Sequence, residues 1–201
     1  MATEISSDKV KLLREKTGAG MMDCKKALAE TGGDMEKAID YLRKKGAATA
    51  EKRADRATNQ GVVEAYIHAG GRIGAMVELN CETDFVAKTD DFKSVAKEIA
   101  MQIAAMNPQF ILREEVPQQN IEREMEIYRT QARNEKKPEQ IIDKIATGKL
   151  EKYFQEVCLL EQTYIKDSGK TIKDLILDVT SKTGEKVTVR RFNRFHLGEN
   201  A

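Results

Sequence analysis

Cys81-Glu82-Thr83-Asp84-Phe85-Val86-Ala87-Lys88-Thr89-Asp90-Asp91-Phe92 follows an alternating apolar run and leads straight into an amphipathic one, so the chain turns here from a strand into a helix. Phe85 falls on that corner, where a ring either staples back onto its own helix start or projects outward. Upstream, Val62 to Ile67 and Ile73 to Leu79 both alternate, and His68-Ala69-Gly70-Gly71-Arg72 between them is turn chemistry, which predicts a hairpin. A loop of three or five residues would pair Ile67 with Ile73, Ala65 with Ala75 and Val63 with Val77, placing the apolar residues on one buried face. Downstream, Phe92, Val95, Ala96, Ile99, Ile103 and Met106 keep helical spacing until Asn107-Pro108 stops it.

Beyond this centre, Ile121, Met125, Tyr128 and Ala132 line one helix, and Pro138 opens another that carries Ile142, Ile145, Tyr153, Phe154 and Val157. The short polar turn Glu135-Lys136-Lys137 makes the two antiparallel, and Gly148 weakens the second locally. Thr171-Ile172-Lys173-Asp174 has the form of a capping box ahead of a helix bearing Leu175, Ile176 and Val179. Val187 to Phe195 closes the chain as a third strand, with a slip in alternation near Arg190-Arg191. Residues 61–201 therefore read as an α+β domain, a three-stranded antiparallel sheet packed against helices.

Ahead of it, three short helices are marked by Val10 and Leu13, by Cys24 and Leu28, and by Met35, Ala38, Ile39 and Leu42. Thr17-Gly18-Ala19-Gly20 and Thr31-Gly32-Gly33-Asp34 separate them, with Asp34 as an N-cap and Gly46 as a C-terminal stop. This predicts a compact bundle over residues 1–46 resembling the ubiquitin-associated fold, followed by a charged, alanine-rich linker over 47–60. Met21 and Met22, beside a glycine loop, either fill the bundle or present an adaptable apolar contact.

The 34 basic and 33 acidic residues nearly cancel, unlike the basic excess of a nucleic-acid binder. No apolar run reaches the roughly 18 residues of a membrane span, and Met1-Ala2-Thr3-Glu4-Ile5 lacks the pattern of a secretory signal, so a cytoplasmic protein is expected. Cys24, Cys81 and Cys158 are odd in number and widely spaced, which suits reduced, buried thiols. His68 and His196 form no metal-ligand spacing, and Asp90-Asp91 and Glu114-Glu115 suit helix N-terminal charge. Gly169-Lys170-Thr171 lacks the upstream glycine of a phosphate loop, since Tyr164 stands there. The chain reads as a binding protein, not an enzyme, with no cofactor and no metal of its own.

Thr83-Asp84-Phe85-Val86-Ala87 and the run from Leu13 to Leu28, LREKTGAGMMDCKKAL, resemble the two signatures of the elongation factor Ts family, in the family's order. The resemblance extends along the chain and is weakest from Arg113 to Lys182. It implies a guanine nucleotide exchange factor whose partner is elongation factor Tu, bound to GDP and magnesium or nucleotide-free. In the family the aspartate and phenylalanine of the signature, here Asp84 and Phe85, contact the GTPase domain, and the ring wedges between two helices so that the magnesium site is disturbed. Thr83 and Val86 would shape that corner, while Arg14, Thr17, Gly18, Met21 and Met22 would lie on the docking face of the bundle. Longer members carry two copies of the core domain, so the resemblance also implies a homodimer paired through the second domain. A different class remains open: an adaptor whose bundle binds another small protein domain, since fold shape alone does not transfer a ligand.

Overall fold

A computed structural model describes residues 5–199; Met1 to Glu4, on which the absence of a secretory signal was argued, lie outside the described residues. In chain order the helices are α1 Ser7–Thr17, α2 Met21–Glu30, α3 Met35–Lys52, α4 Asp84–Ala87, α5 Asp90–Met106, α6 Gln118–Asn134, α7 Glu139–Val157 and α8 Ile172–Thr183. The strands are β1 Gln60–Ile67, β2 Ile73–Cys81, β3 Thr163–Tyr164, β4 Asp167–Thr171 and β5 Thr188–His196. The chain divides into two compact units: one holds residues 5–65, Met76–Glu98 and Asp174–Phe192, the other Tyr66–Ala75, Ile99–Lys173 and 193–199.

In the first unit, Ser6 caps α1 by accepting from the Lys9 N–H at 3.3 Å. Gly18, at φ 66°, ends that helix and returns its N–H to the Arg14 carbonyl at 2.7 Å. Asp34 caps α3 as expected, its carboxylate accepting from the Lys37 N–H at 3.1 Å. Val10, Leu13, Cys24, Ala27, Leu28, Ala38 and Leu42 form the bundle core, with Ile5, Met35, Ile39 and Tyr41 packed against it. Gly46 does not stop α3, which runs on to Lys52. A helical glycine costs about 1 kcal/mol against alanine, but here the Ser181 hydroxyl occupies the space a Cβ would need.

The strands order β1-β2-β5 in a three-stranded antiparallel sheet. Five residues lie between the named strands, but pairing continues to His68 and Ile73, so the loop is the four residues Ala69 to Arg72 and not the expected three or five, and the facing differs accordingly. His68 donates to the Ile73 carbonyl at 2.8 Å, and a Cβ on Gly74 would meet Ile67 Cδ1 at 2.7 Å, so Ile67 stands across from Gly74. A Cβ on Gly61 would likewise strike the Leu79 carbonyl and Asn80 Cα, which sets the other end of the same register. In consequence Ala75, Val77 and Leu79 are buried on β2, whereas Val63 and Ile67 on β1 are 60% and 67% exposed. The buried side of β1 is carried by the half-buried Val62, Glu64 and Tyr66 instead. Apolar alternation located the strand but assigned its inner face to the wrong residues.

In the second unit α6 and α7 form an antiparallel hairpin, turned at Lys136 with φ 54° and zipped by Arg129 on Asp143 at 2.8 Å and Arg133 on Glu139 at 3.6 Å. Its base buries Val116, Phe154, Val157 and Cys158. Arg113 lies 4.7 Å over the Phe154 ring while pairing with Glu161 at 2.6 Å. The two-stranded ribbon β3-β4 was not anticipated; it contains the Gly169-Lys170-Thr171 run, paired Thr163 to Thr171. Gln102 and Gln162, both fully buried, bond to each other at 3.1 Å, and Gln102 accepts from the Ile165 N–H at 3.0 Å. Among the described residues no helix is long and apolar enough to cross a membrane, and no group of acidic, histidine or cysteine side chains is arranged to hold a metal. The three cysteines are free thiols with no exposed surface.

Candidate functional site

Strand β2 ends at Cys81, and the chain passes through Glu82 and Thr83 into the single turn of α4. Thr83 is still extended, at φ −124° and ψ 156°, and its carbonyl accepts from the Ala87 N–H at 3.3 Å. One turn of helix points its side chains in different directions: Ala87 inward, Val86 half-buried, and Phe85 out into solvent at 79% exposure. The neighbouring aromatic Phe92 is fully buried on α5, so the core position is already filled. Phe85 is therefore not a staple on its own helix.

Asp84 sits beside the ring and receives Lys88 at 2.6 Å, a bond that holds its carboxyl below the usual value. Behind the corner, the Thr83 N–H and hydroxyl both donate to Glu185, at 3.0 Å and 2.6 Å. The Lys186 N–H donates to Glu82 at 2.7 Å, and this bond, followed by Arg56 at 3.0 Å, keeps the Glu82 carboxyl low. Cys81 donates its thiol to the Thr83 carbonyl at 3.1 Å, and burial pushes that thiol up to about 11. Asp84, Phe85 and Val86 were legible as a corner; Glu185, Lys186 and Arg56 were not. Glu185 lies 102 positions from Thr83, and no spacing rule links them.

The remaining candidates gather at the α1–α2 turn of the same unit. Arg14 is exposed, and Thr17 is spent internally, donating to the Leu13 carbonyl at 2.7 Å and accepting from the Ala19 N–H at 3.3 Å. A Cβ on Gly18 would collide with the Lys182 side chain. Met22 is 74% exposed and Met21 43%, so neither fills the bundle interior. Leu12, in the middle of α1, is also exposed at 45% and was missed, because it falls off the periodic stripe that betrayed Leu13.

The family model for elongation factor Ts matches residues 9–199, a span that includes both signatures. The chain belongs to the elongation factor Ts family. It is 63% identical over 196 residues to the elongation factor Ts of Desulforamulus reducens, covering 98% of this chain and 90% of that one. It is 60% identical to elongation factor Ts of Heliobacterium modesticaldum over 195 residues, covering 97% and 91%, and 60% identical to that of Thermotoga petrophila over 196, covering 98% of each.

Proposed function

We propose that this chain is a guanine nucleotide exchange factor for elongation factor Tu: it binds the GDP-bound GTPase, perturbs the magnesium site and promotes GDP release. The observation that carries the reading is the phenylalanine ring held in water on a rigid corner. The bundle would dock through Arg14, Thr17, Gly18, Met21 and Met22, with Thr83, Asp84, Phe85 and Val86 as the acting corner. The bundle over 1–46 and the α+β region over 61–201, joined through 47–60, are two contact modules for one partner. Exchange of this kind makes and breaks no covalent bond, so no acid, base or nucleophile is required, and the reading assigns the chain no cofactor and a cytoplasmic site of action.

The energetics constrain the mechanism. Burying the exposed ring against a partner contributes about 1.5 to 3 kcal/mol, whereas a nanomolar nucleotide is held by about 12 kcal/mol. One ring therefore cannot expel GDP by competition. It acts by displacing the surroundings of magnesium, whose coordination tolerates little distortion, while the bundle and the second domain supply the remaining interface energy. The coupling is reciprocal: GDP must weaken the factor as much as the factor weakens GDP.

The same reading makes the protein a homodimer through its α+β region. Its support is the row of apolar side chains that β1 turns outward, Val63 and Ile67, which a solvated strand face would normally replace with polar ones. The direct test is loss of fluorescent GDP from purified elongation factor Tu. Acceleration that saturates with this protein supports exchange; binding without acceleration favours the adaptor.

A further inference from the structure

A four-residue helix is far below the roughly 12 to 15 residues at which an isolated helix holds itself together, so the mount of Phe85 must be rigidified by tertiary bonds. Thr83 stands at the N-cap position of α4 yet makes no side-chain cap there. Its hydroxyl and its N–H are instead both given to one carboxylate, that of Glu185. The arrangement is reciprocal, because Glu82 takes the N–H of Lys186 at 2.7 Å. Two adjacent residues at the corner thus exchange carboxylate-to-backbone bonds with two adjacent residues of the turn between α8 and β5. Charge-assisted bonds of this kind are shorter and stronger than neutral ones. The clasp continues to the segment that leaves α3: the Lys186 ammonium donates to the Ala54 and Arg56 carbonyls, and the Arg56 guanidinium returns to Glu82 at 3.0 Å.

We infer that Glu185 is a positioning residue for nucleotide exchange: by holding Thr83 through two bonds it fixes the direction in which Phe85 meets the GTPase. The inference rests on the exchange reading above and extends it to a residue outside both signatures. Thr83 is exposed and Glu185 only half-buried, so the bonds between them add little to global stability. Their effect is on orientation, where small displacements matter more than bond strength.

The test is a double-mutant cycle on stimulated release of fluorescent GDP from elongation factor Tu at saturating factor, with thermal melting recorded for every variant. Glu185→Ala is expected to lower the maximal rate roughly tenfold, short of the ~10²-fold that a 1 Å misplacement can cost, with little change in melting. Glu185→Gln, which still offers an oxygen to the Thr83 N–H, should recover most of the rate. In the Phe85→Ala background Glu185→Ala should cost nothing further. Should Glu185→Ala fail to fold, Thr83→Val removes the hydroxyl bond alone and is expected to slow exchange in the wild-type background only. A wild-type rate for Glu185→Ala, or an equal loss with and without the ring, overturns the positioning role. GDP release no faster with the wild-type factor than without it overturns the exchange reading itself, whereas an unimpaired Phe85→Ala in a protein that does accelerate release overturns the ring's role and the positioning role with it.

Discussion

Leaving one phenylalanine in water forgoes about 1.5 to 3 kcal/mol of burial, and the corner at Phe85 forgoes it while keeping the neighbouring Ala87 and Phe92 in the core. One carboxylate that holds the corner, Glu82, has a shifted pKa. Glu82 accepts from the Lys186 N–H and from Arg56, so its folded pKa lies below the ordinary 4.5. A depressed carboxylate contributes stability that is present above its unfolded value and is lost as pH falls through the folded one. Melting of the wild type should therefore decline on acidification from neutral pH to below the ordinary carboxylate range. Glu82→Gln should flatten that acid limb, whereas an unchanged limb would show that the Glu82 bonds do not hold in solution. Cys81 offers an independent check at the same corner, since its thiol is fully buried and pushed up to about 11. Alkylation of the folded protein at neutral pH should leave Cys81 unmodified, and rapid modification there would contradict the geometry of the β2–α4 junction.

Elements respond to substitution according to what surrounds them, and two glycines separate the cases. Gly148 lies exposed inside α7 with open space where a Cβ would go, so Gly148→Ala should stabilise by about 0.5 to 1 kcal/mol. At Gly61 the same change drives a methyl into the Leu79 carbonyl and Asn80, and about 1 to 3 kcal/mol should be lost. Urea midpoints at constant slope would measure both, and a neutral Gly61→Ala would overturn the register of the β1–β2 pair. That register is also where the sequence misled. Helical spacing located α5, α6 and α7 because most of their buried residues are apolar, with Ile99, Ile103, Ala132 and Phe154 all inside and Gln102 the polar exception on α5. On β1 the rule fails, because Val63 and Ile67 face out while Glu64 and Tyr66 bury their stems. The ribbon β3-β4 escaped notice for another reason: Tyr164 to Thr171 shows no alternation, and its pairing leans on the buried amide of Gln102.

At the scale of the molecule, exposed apolar side chains are what the chain offers to partners. The start of α2 offers Met21 and Met22, the middle of α1 offers Leu12, and the corner offers Phe85; β1 adds Val63 and Ile67, which the homodimer reading covers with a second copy. With 34 basic and 33 acidic residues there is almost no net charge to steer a polyanion. Replacing Val63 and Ile67 together by lysine should leave melting nearly unchanged at low concentration and shift sedimentation from dimer to monomer; a monomeric wild type would remove the homodimer from the account. The signature corner and the bundle were readable because local patterns carry them. Glu185 and its partners were not, since strands β2 and β5 bring them together only once the sheet has formed.

The most direct test is the rate of GDP release from elongation factor Tu as a function of factor concentration, for the wild type and Phe85→Ala, with melting curves of both. The ring is exposed, so its removal should move stability by no more than about 0.5 kcal/mol while the saturating release rate falls by at least the roughly tenfold expected of Glu185→Ala. Equal release rates for the two proteins, or a loss of rate that tracks a loss of stability, would contradict the account.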